Sequence, residues 1–189
     1  TLGQFLVRAF ADTEGTLHIL ELGAGTGGTT KFIIELLSRS AINFTYTFSD
    51  LSPSLVSAAK RTFKCYEDRM KYQVLDIEKA PSPQLLGSFH TILSTNCIHA
   101  TSDLSKSLTN IRSMLRPDGF VSLVEFTRNI FWFDIVFGVL EGWWLFADGR
   151  THVLASEWIW KHAMETAGLG GIKWTEGCSE ESQTLRILT

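Results

Sequence analysis

The stretch Leu17–Thr30, L-H-I-L-E-L-G-A-G-T-G-G-T-T, joins a short apolar run to an amphipathic one through four glycines. Leu17, Ile19, Leu20 and Leu22 predict a strand with Glu21 near its end, and Lys31–Ser38 predicts the helix that follows. Glycine accepts positive φ and has no Cβ. The loop can therefore bring its backbone close to a small ligand and present the N–H groups of the helix start. Gly23, Gly25 and Gly28 also satisfy G-x-G-x-x-G, a spacing used for dinucleotides, so the neighbouring residues decide what binds.

A carboxylate at Glu21 would repel the phosphates of a dinucleotide and suits a ligand carrying an ammonium group. E-L-G-A-G-T-G-G resembles the first motif of the class I S-adenosylmethionine-dependent methyltransferases, whose ligand has an ammonium, a sulfonium and no phosphate. The resemblance implies cofactor contacts from Glu21, Gly23, Ala24, Gly25, Thr26 and Gly27. A nicotinamide-dependent reductase is the alternative user of such a loop.

Before the loop, Leu2, Phe5, Leu6, Ala9 and Phe10 recur at helical spacing and predict a helix ending near Asp12–Gly15. After it, the aromatic and β-branched run Asn43–Ser49 predicts a second strand that ends at Asp50. In open parallel sheets ligands bind beyond the carboxyl ends of the strands, where an acid can accept two hydrogen bonds from a ribose diol. Asp50, with Leu51 beside it, is the candidate for that role. The competing reading makes Asp50 a cap for the helix that starts at Ser52-Pro53, although Ser52 could cap that helix by itself.

Pro53–Tyr66 predicts the second helix of the series and Met70–Leu75 the third strand. In the resembled family the residues just past this strand contact adenine, which points to Asp76 and Ile77. Phe89–Ser94 predicts the fourth strand, and Thr95–Thr101 (T-N-C-I-H-A-T) leaves it on the ligand side with Asn96 among the lining residues. Leu104–Leu115 predicts a helix that stops at R-P-D-G, and Phe120–Phe126 a fifth strand. Ser156–Ala167 predicts a helix with Ser156 as cap, and Ile172–Glu176 and Gln183–Leu188 two last strands, the second antiparallel. His152 and His162 read as solvated or packing histidines. The sum is an α/β fold: a Rossmann-like, doubly wound, mostly parallel seven-stranded sheet with helices on both faces.

At 189 residues, 44% hydrophobic and 20% charged, the chain is expected to be one globular domain. A net charge of −3 without a basic block excludes an electrostatic footprint for nucleic acid. Cys65, Cys97 and Cys178 form no C-x-x-C pair, which argues against zinc or a disulfide framework and for a reducing compartment. No metal is expected. The chain opens at Thr1 inside a helical pattern without a signal peptide, and reads as a piece of something longer, with residues 1–11 as the remnant of a preceding helical region. Ile130–Phe146 is the most apolar run. It falls short of the ~20 residues of a membrane span and contains Asp134 and Glu141, so it is read as an apolar wall on the acceptor side of the pocket or as a helix buried in the core or against a missing neighbour.

Two residues outside the cofactor motifs carry the chemistry. His99 lies just past the fourth strand and Glu125 near the end of the fifth, so adjacent strand ends bring them to one edge of the pocket. There a carboxylate can hold an imidazole's tautomer and raise its basicity; a structural, hydrogen-bonded histidine is the competing reading. T-N-C-I-H-A-T with L-V-E-F-T, followed by F-D-I-V-F-G-V-L-E-G-W-W and D-G-R-T-H, resembles the C-methyltransferase domain of fungal non-reducing polyketide synthases over essentially the whole chain. That resemblance implies a domain of a cytoplasmic, multifunctional secondary-metabolite enzyme. It would use S-adenosylmethionine, yield S-adenosylhomocysteine, and methylate the α-carbon of a β-ketoacyl thioester on an acyl carrier protein, with His99 as base and Glu125 as its partner. A small-molecule O-methyltransferase and a scaffold that has lost its activity are the other readings.

Overall fold

The computed structural model describes residues 2–10, 15–40 and 42–189. Six strands form one sheet among them: β1 (Leu17–Leu22), β2 (Phe44–Asp50), β3 (Met70–Val74), β4 (Phe89–Thr95), β5 (Leu115–Phe126) and β6 (Leu185–Leu188). Their order is β3-β2-β1-β4-β5-β6, with β6 alone antiparallel. The direction of winding therefore reverses between β1 and β4, which opens a crevice at the carboxyl ends of those two strands.

Side-chain alternation builds two cores. Leu17 and Ile19 point to one face and join Tyr46, Phe48 and Leu93 under α1 (Leu2–Phe10), α2 (Gly28–Arg39) and α3 (Pro53–Thr62). Leu20 and Leu22 point to the other, where Ile92 and Leu123 pack against α4 (Leu104–Met114). The apolar stretch Phe131–Trp144 holds α5 (Phe131–Phe137) and a 3-10 turn at Glu141–Trp144. It precedes α6 (Glu157–Thr166), whose fully buried Trp160 joins the α4 core, and α7 (Glu180–Thr184) leads into β6.

Several expectations are corrected. The first helix is described over Leu2–Phe10, and its predicted stop near Asp12–Gly15 is not decided, since Thr1 and residues 11–14 lie outside the described residues. Ile172–Glu176 does not form a seventh strand: Trp174 makes one isolated antiparallel bridge to Leu188, with Lys173 exchanging backbone bonds with Thr189 at 2.8 and 2.9 Å and Thr175 N donating to Ile187 O at 3.0 Å. β5 starts at Leu115 rather than Phe120, but its pairing with β4 jumps from Phe89–Leu115 to Thr91–Phe120, so Arg116–Gly119 bulges out of the strand. Gly119 is required there, since a Cβ would sit 2.9 Å from the Phe89 carbonyl. Neither Ser52 nor Ser156 bonds its helix through the hydroxyl, although both sit at the cap position; Asp103 caps α4 through Lys106 N at 2.9 Å.

Candidate active site

The loop after β1 turns under two tight contacts, of Gly23 on Cys97 and of Gly27 on the Phe63 ring. Gly23, Gly25 and Gly27 all have positive φ, and a Cβ on Gly23 would lie 2.2 Å from Cys97 Sγ. That approach brings the loop against the segment leaving β4. Beyond Gly28 the space is open. Asp50 ties the loop to β2: Oδ2 accepts from Gly25 N and Oδ1 from Ser52 N, both at 2.9 Å. The Ser52 bond reaches the residue at the cap position rather than an N–H of the first turn of α3, so Asp50 does not cap that helix; these bonds use two of the carboxylate's roughly four lone-pair sites.

Glu21 is placed otherwise than expected. It is 1% exposed, and Oε2 accepts from Thr30 Oγ1 and from Tyr46 OH at 2.8 Å. Residue parity explains this, since Glu21 shares a face with Leu17 and Ile19 and so points beneath α2 rather than out of the loop. Burial pushes its carboxyl up to about 7, against the two hydrogen bonds and with a contribution from the charge of Asp50. Asp76, past β3, accepts from Glu78 N at 3.1 Å and pairs with Lys79 Nζ at 2.9 Å. The Ile77 side chain packs against the α4 core while its carbonyl accepts from Asn110 Nδ2 at 2.9 Å. Leu51 is 66% exposed, an apolar surface next to Asp50.

On the other side of the crevice, Asn96 turns the chain out of β4 with φ of 48° and donates its N–H to Val124 O at 2.8 Å. The turn Ile98–Ala100 follows at once and carries His99. His99 Nδ1 lies 2.7 Å from Glu125 Oε2. Glu125 is fully buried, and its Oε1 accepts from Cys97 N at 3.1 Å and Ile98 N at 2.9 Å. Three bonds thus fix the carboxylate. An ionised Glu125 assigns the proton of a neutral His99 to Nδ1 and leaves the lone pair on Nε2. Cys97, in contrast, is a packing group: burial pushes its thiol up to about 12, far from thiolate chemistry.

His99 opens on a cavity of about 430 Å³ whose walls include Asn96, Phe126, Phe133, Phe137, Trp143 and Leu154. Of the two tryptophans in G-W-W, Trp143 lines it, its ring 6.1 Å from His99 and edge-on at 72°. Phe133, Phe137 and Leu140 of the apolar run also line the cavity and Phe133 is buried, while Phe131 and Val139 are 77% and 80% exposed. No helix among the described residues is long and apolar enough to cross a membrane. A larger opening, about 1050 Å³, lies among the amino-terminal parts of β3, β4 and β5, lined by Met70, Phe89 and Arg116, away from the glycine loop and His99.

The sequence reading did not anticipate three supports of this site. Arg150 Nη1 donates to His99 O at 3.0 Å and Nη2 to Thr101 O at 2.6 Å. Asp134 accepts from Trp143 Nε1 and from His152 Nε2, both at 2.9 Å. His152 is therefore neither solvated nor merely packed. The dense charge of D-G-R-T-H, in a loop beside an apolar run, was the available signal.

Residues 20–121 match a family model described as "Methyltransferase domain". The chain is 58% identical, over 99% of its length, to the non-reducing polyketide synthase pkbA of Emericella nidulans, of which it spans 8%. It superposes on the CMeT domain of the citrinin polyketide synthase with a TM-score of 0.95 and 46% identity, covering 99% of this chain and 50% of that one. The trans-methyltransferase CalH, solved with SAH, gives a TM-score of 0.85 and 35% identity, covering 97% of this chain and 53% of that one.

Proposed function

The chain belongs to the methyltransferase domain family, and on that premise we propose that it transfers a methyl group from S-adenosylmethionine to the α-carbon of a β-ketoacyl thioester. The thioester would be carried by an acyl carrier protein, and the chain would act as one domain among others of a cytosolic fungal polyketide synthase. Likeness to pkbA and to the citrinin synthase domain supports the setting. The observation that carries the chemistry is the 2.7 Å pair of His99 and Glu125 at the wall of an apolar cavity.

The residues fit the cofactor. Open space lies beyond Gly28, Asp50 retains acceptor sites for a ribose diol, and Leu51 offers an exposed apolar surface. Gly23, Ala24, Gly25, Thr26 and Gly27 would supply loop backbone. Asp76 with Ile77 would meet the adenine, and Asn96 would bound the far side. Buried Glu21 would act from below, holding the loop's base through Thr30 and Tyr46. When bound, S-adenosylmethionine supplies an electrophilic methyl whose bond to sulfur breaks as the acceptor carbon bonds to it, leaving a neutral thioether.

The rest falls to this chain. The acceptor carbon, between a ketone and a thioester, gives an anion delocalised over two carbonyls, so one imidazole suffices to remove its proton near neutral pH. His99 takes that proton on Nε2. Glu125 stabilises the imidazolium and keeps the ring from turning. The aromatic walls exclude water from the enolate and align it for displacement.

The test is His99→Ala in the full-length protein. S-adenosylmethionine affinity by calorimetry should stay within about twofold of wild type while methylation of a β-ketoacyl N-acetylcysteamine thioester falls by about 10²–10⁴-fold, the usual worth of a general base. Glu125→Gln should lose less. Wild-type turnover in His99→Ala would overturn the assignment.

A further inference from the structure

We propose that Asp148–His152 is a positioning segment for His99: Arg150 fixes the backbone turn that carries the imidazole, and His152, through Asp134, fixes the Trp143 indole against its ring. The proposal rests on the reading of His99 as the base.

Arg150 is almost wholly buried, with its side chain 4% exposed. A buried guanidinium is costly unless its donors are paired, so where those donors go is informative. Nε pairs with Asp148 Oδ1 at 2.7 Å, and Nη1 also reaches Val153 O at 3.1 Å. The remaining bonds go to the carbonyls of His99 and Thr101, which straddle the end of the Ile98–Ala100 turn. Asp148 uses its other oxygen, Oδ2, to accept from Leu104 N at 3.0 Å, the first residue of α4. One Asp–Arg pair therefore clamps the turn from the main-chain side, while Glu125 holds the ring from the side-chain side. Together they remove both the sliding of the turn and the rotation of the imidazole.

His152 works through the Trp143 side of the cavity. Its Nδ1 accepts from Leu154 N at 3.0 Å, which leaves the proton on Nε2 to donate to Asp134 Oδ1. The same oxygen accepts the Trp143 indole N–H, and Asn129 Nδ2 reaches Oδ2 at 3.3 Å. These bonds, that from His152 foremost, hold the Asp134 carboxyl below its ordinary range, so it stays ionised as an acceptor. Trp143 is left edge-on to His99 at 6.1 Å and to His152 at 6.0 Å, and stacked on Phe137 at 5.2 Å. The indole has no freedom to swing across the imidazole.

The experiment compares Arg150→Lys, His152→Ala, His152→Gln and His99→Ala in the full-length protein. It measures S-adenosylmethionine affinity, kcat and KM for the N-acetylcysteamine thioester, and exchange of the thioester's α-hydrogen in deuterated water without S-adenosylmethionine. Lysine keeps the charge and cannot make the branched set of bonds. Arg150→Lys should lower both kcat and α-hydrogen exchange by about 10–100-fold, the scale of a small misplacement of a reacting group, with cofactor affinity within about twofold. His152→Ala should chiefly raise KM, and His152→Gln, which can still donate to Asp134, should recover most of that loss. Wild-type exchange and kinetics in Arg150→Lys and His152→Ala, with His99→Ala inactive, would overturn the positioning role and leave the base in place. Loss of cofactor affinity in step with turnover would make Arg150 a strut of the whole domain and likewise overturn the proposal. Full activity in His99→Ala would remove the reading beneath it.

Discussion

A buried carboxyl that titrates near neutrality is an expensive choice at the root of a ligand loop, and Glu21 makes its cost measurable. Folded, it holds its proton up to about pH 7, while the unfolded chain releases it near 4.5. Between those values the native state binds more protons, so stability falls as pH rises through the window, by on the order of 3 kcal/mol in all. Glu21→Gln, which can still accept from Thr30 and Tyr46, should therefore gain on wild type at pH 8 and not at pH 4.5. Urea unfolding at both values checks this, and an unchanged difference between the two pH values would refute it. Asp50→Ala removes the acceptor of Gly25 N and Ser52 N and should weaken S-adenosylmethionine binding by about 1–3 kcal/mol, read by calorimetry. The burial of Glu21 was legible from strand parity alone, since Leu17 and Ile19 point to the same face. The place of Arg150 was not, because an arginine in an aperiodic loop shows nothing of which distant carbonyls it will reach.

Elements whose periodicity is strong came through whole: β1, α2, β2 and β4 fall within a few residues of their predicted spans. His99 and Glu125 were legible for the same reason, since neighbouring parallel strands deliver their ends to one edge. Ile172–Glu176 misled because alternation does not show how long a ladder will be, and here only Lys173–Thr175 pairs, beside Ile187–Thr189. Within the apolar run, Trp143 lines the cavity whereas Trp144 is half exposed and spends its N–H on Gly138 O at 2.9 Å. Trp143→Ala should raise KM for the thioester about tenfold, as for the loss of ~1.5 kcal/mol of apolar contact, and Trp144→Ala should change it little. Equal effects would put both indoles on the same wall. In α6, Trp160 is fully buried against the α4 core; Trp160→Ala should cost about 3–5 kcal/mol in thermal or urea unfolding.

Across the whole molecule, apolar surface is unevenly spent. Phe131, Ile135 and Val139 are each two-thirds exposed or more on adjoining turns, a patch of the kind that soluble monomers seldom show. The 189-residue chain should bind anilinonaphthalene sulfonate and associate reversibly in sedimentation experiments. Phe131→Ser with Val139→Asp should reduce both, and no change would mean that the patch is covered in solution. The winding reversal between β1 and β4 has a different bearing. The residues proposed for the cofactor hang from β1, β2 and β3, with Asn96 alone beyond β4, while Glu125, Trp143, Arg150 and His152 all come from β5 onward, past the end of the matched family segment at residue 121. In a hybrid that recombines two relatives within β5 and keeps the bonds of Glu125 and Arg150 to the His99 turn, the choice of acyl chain should descend chiefly from the donor of residues 122–189 and cofactor affinity from the donor of the rest.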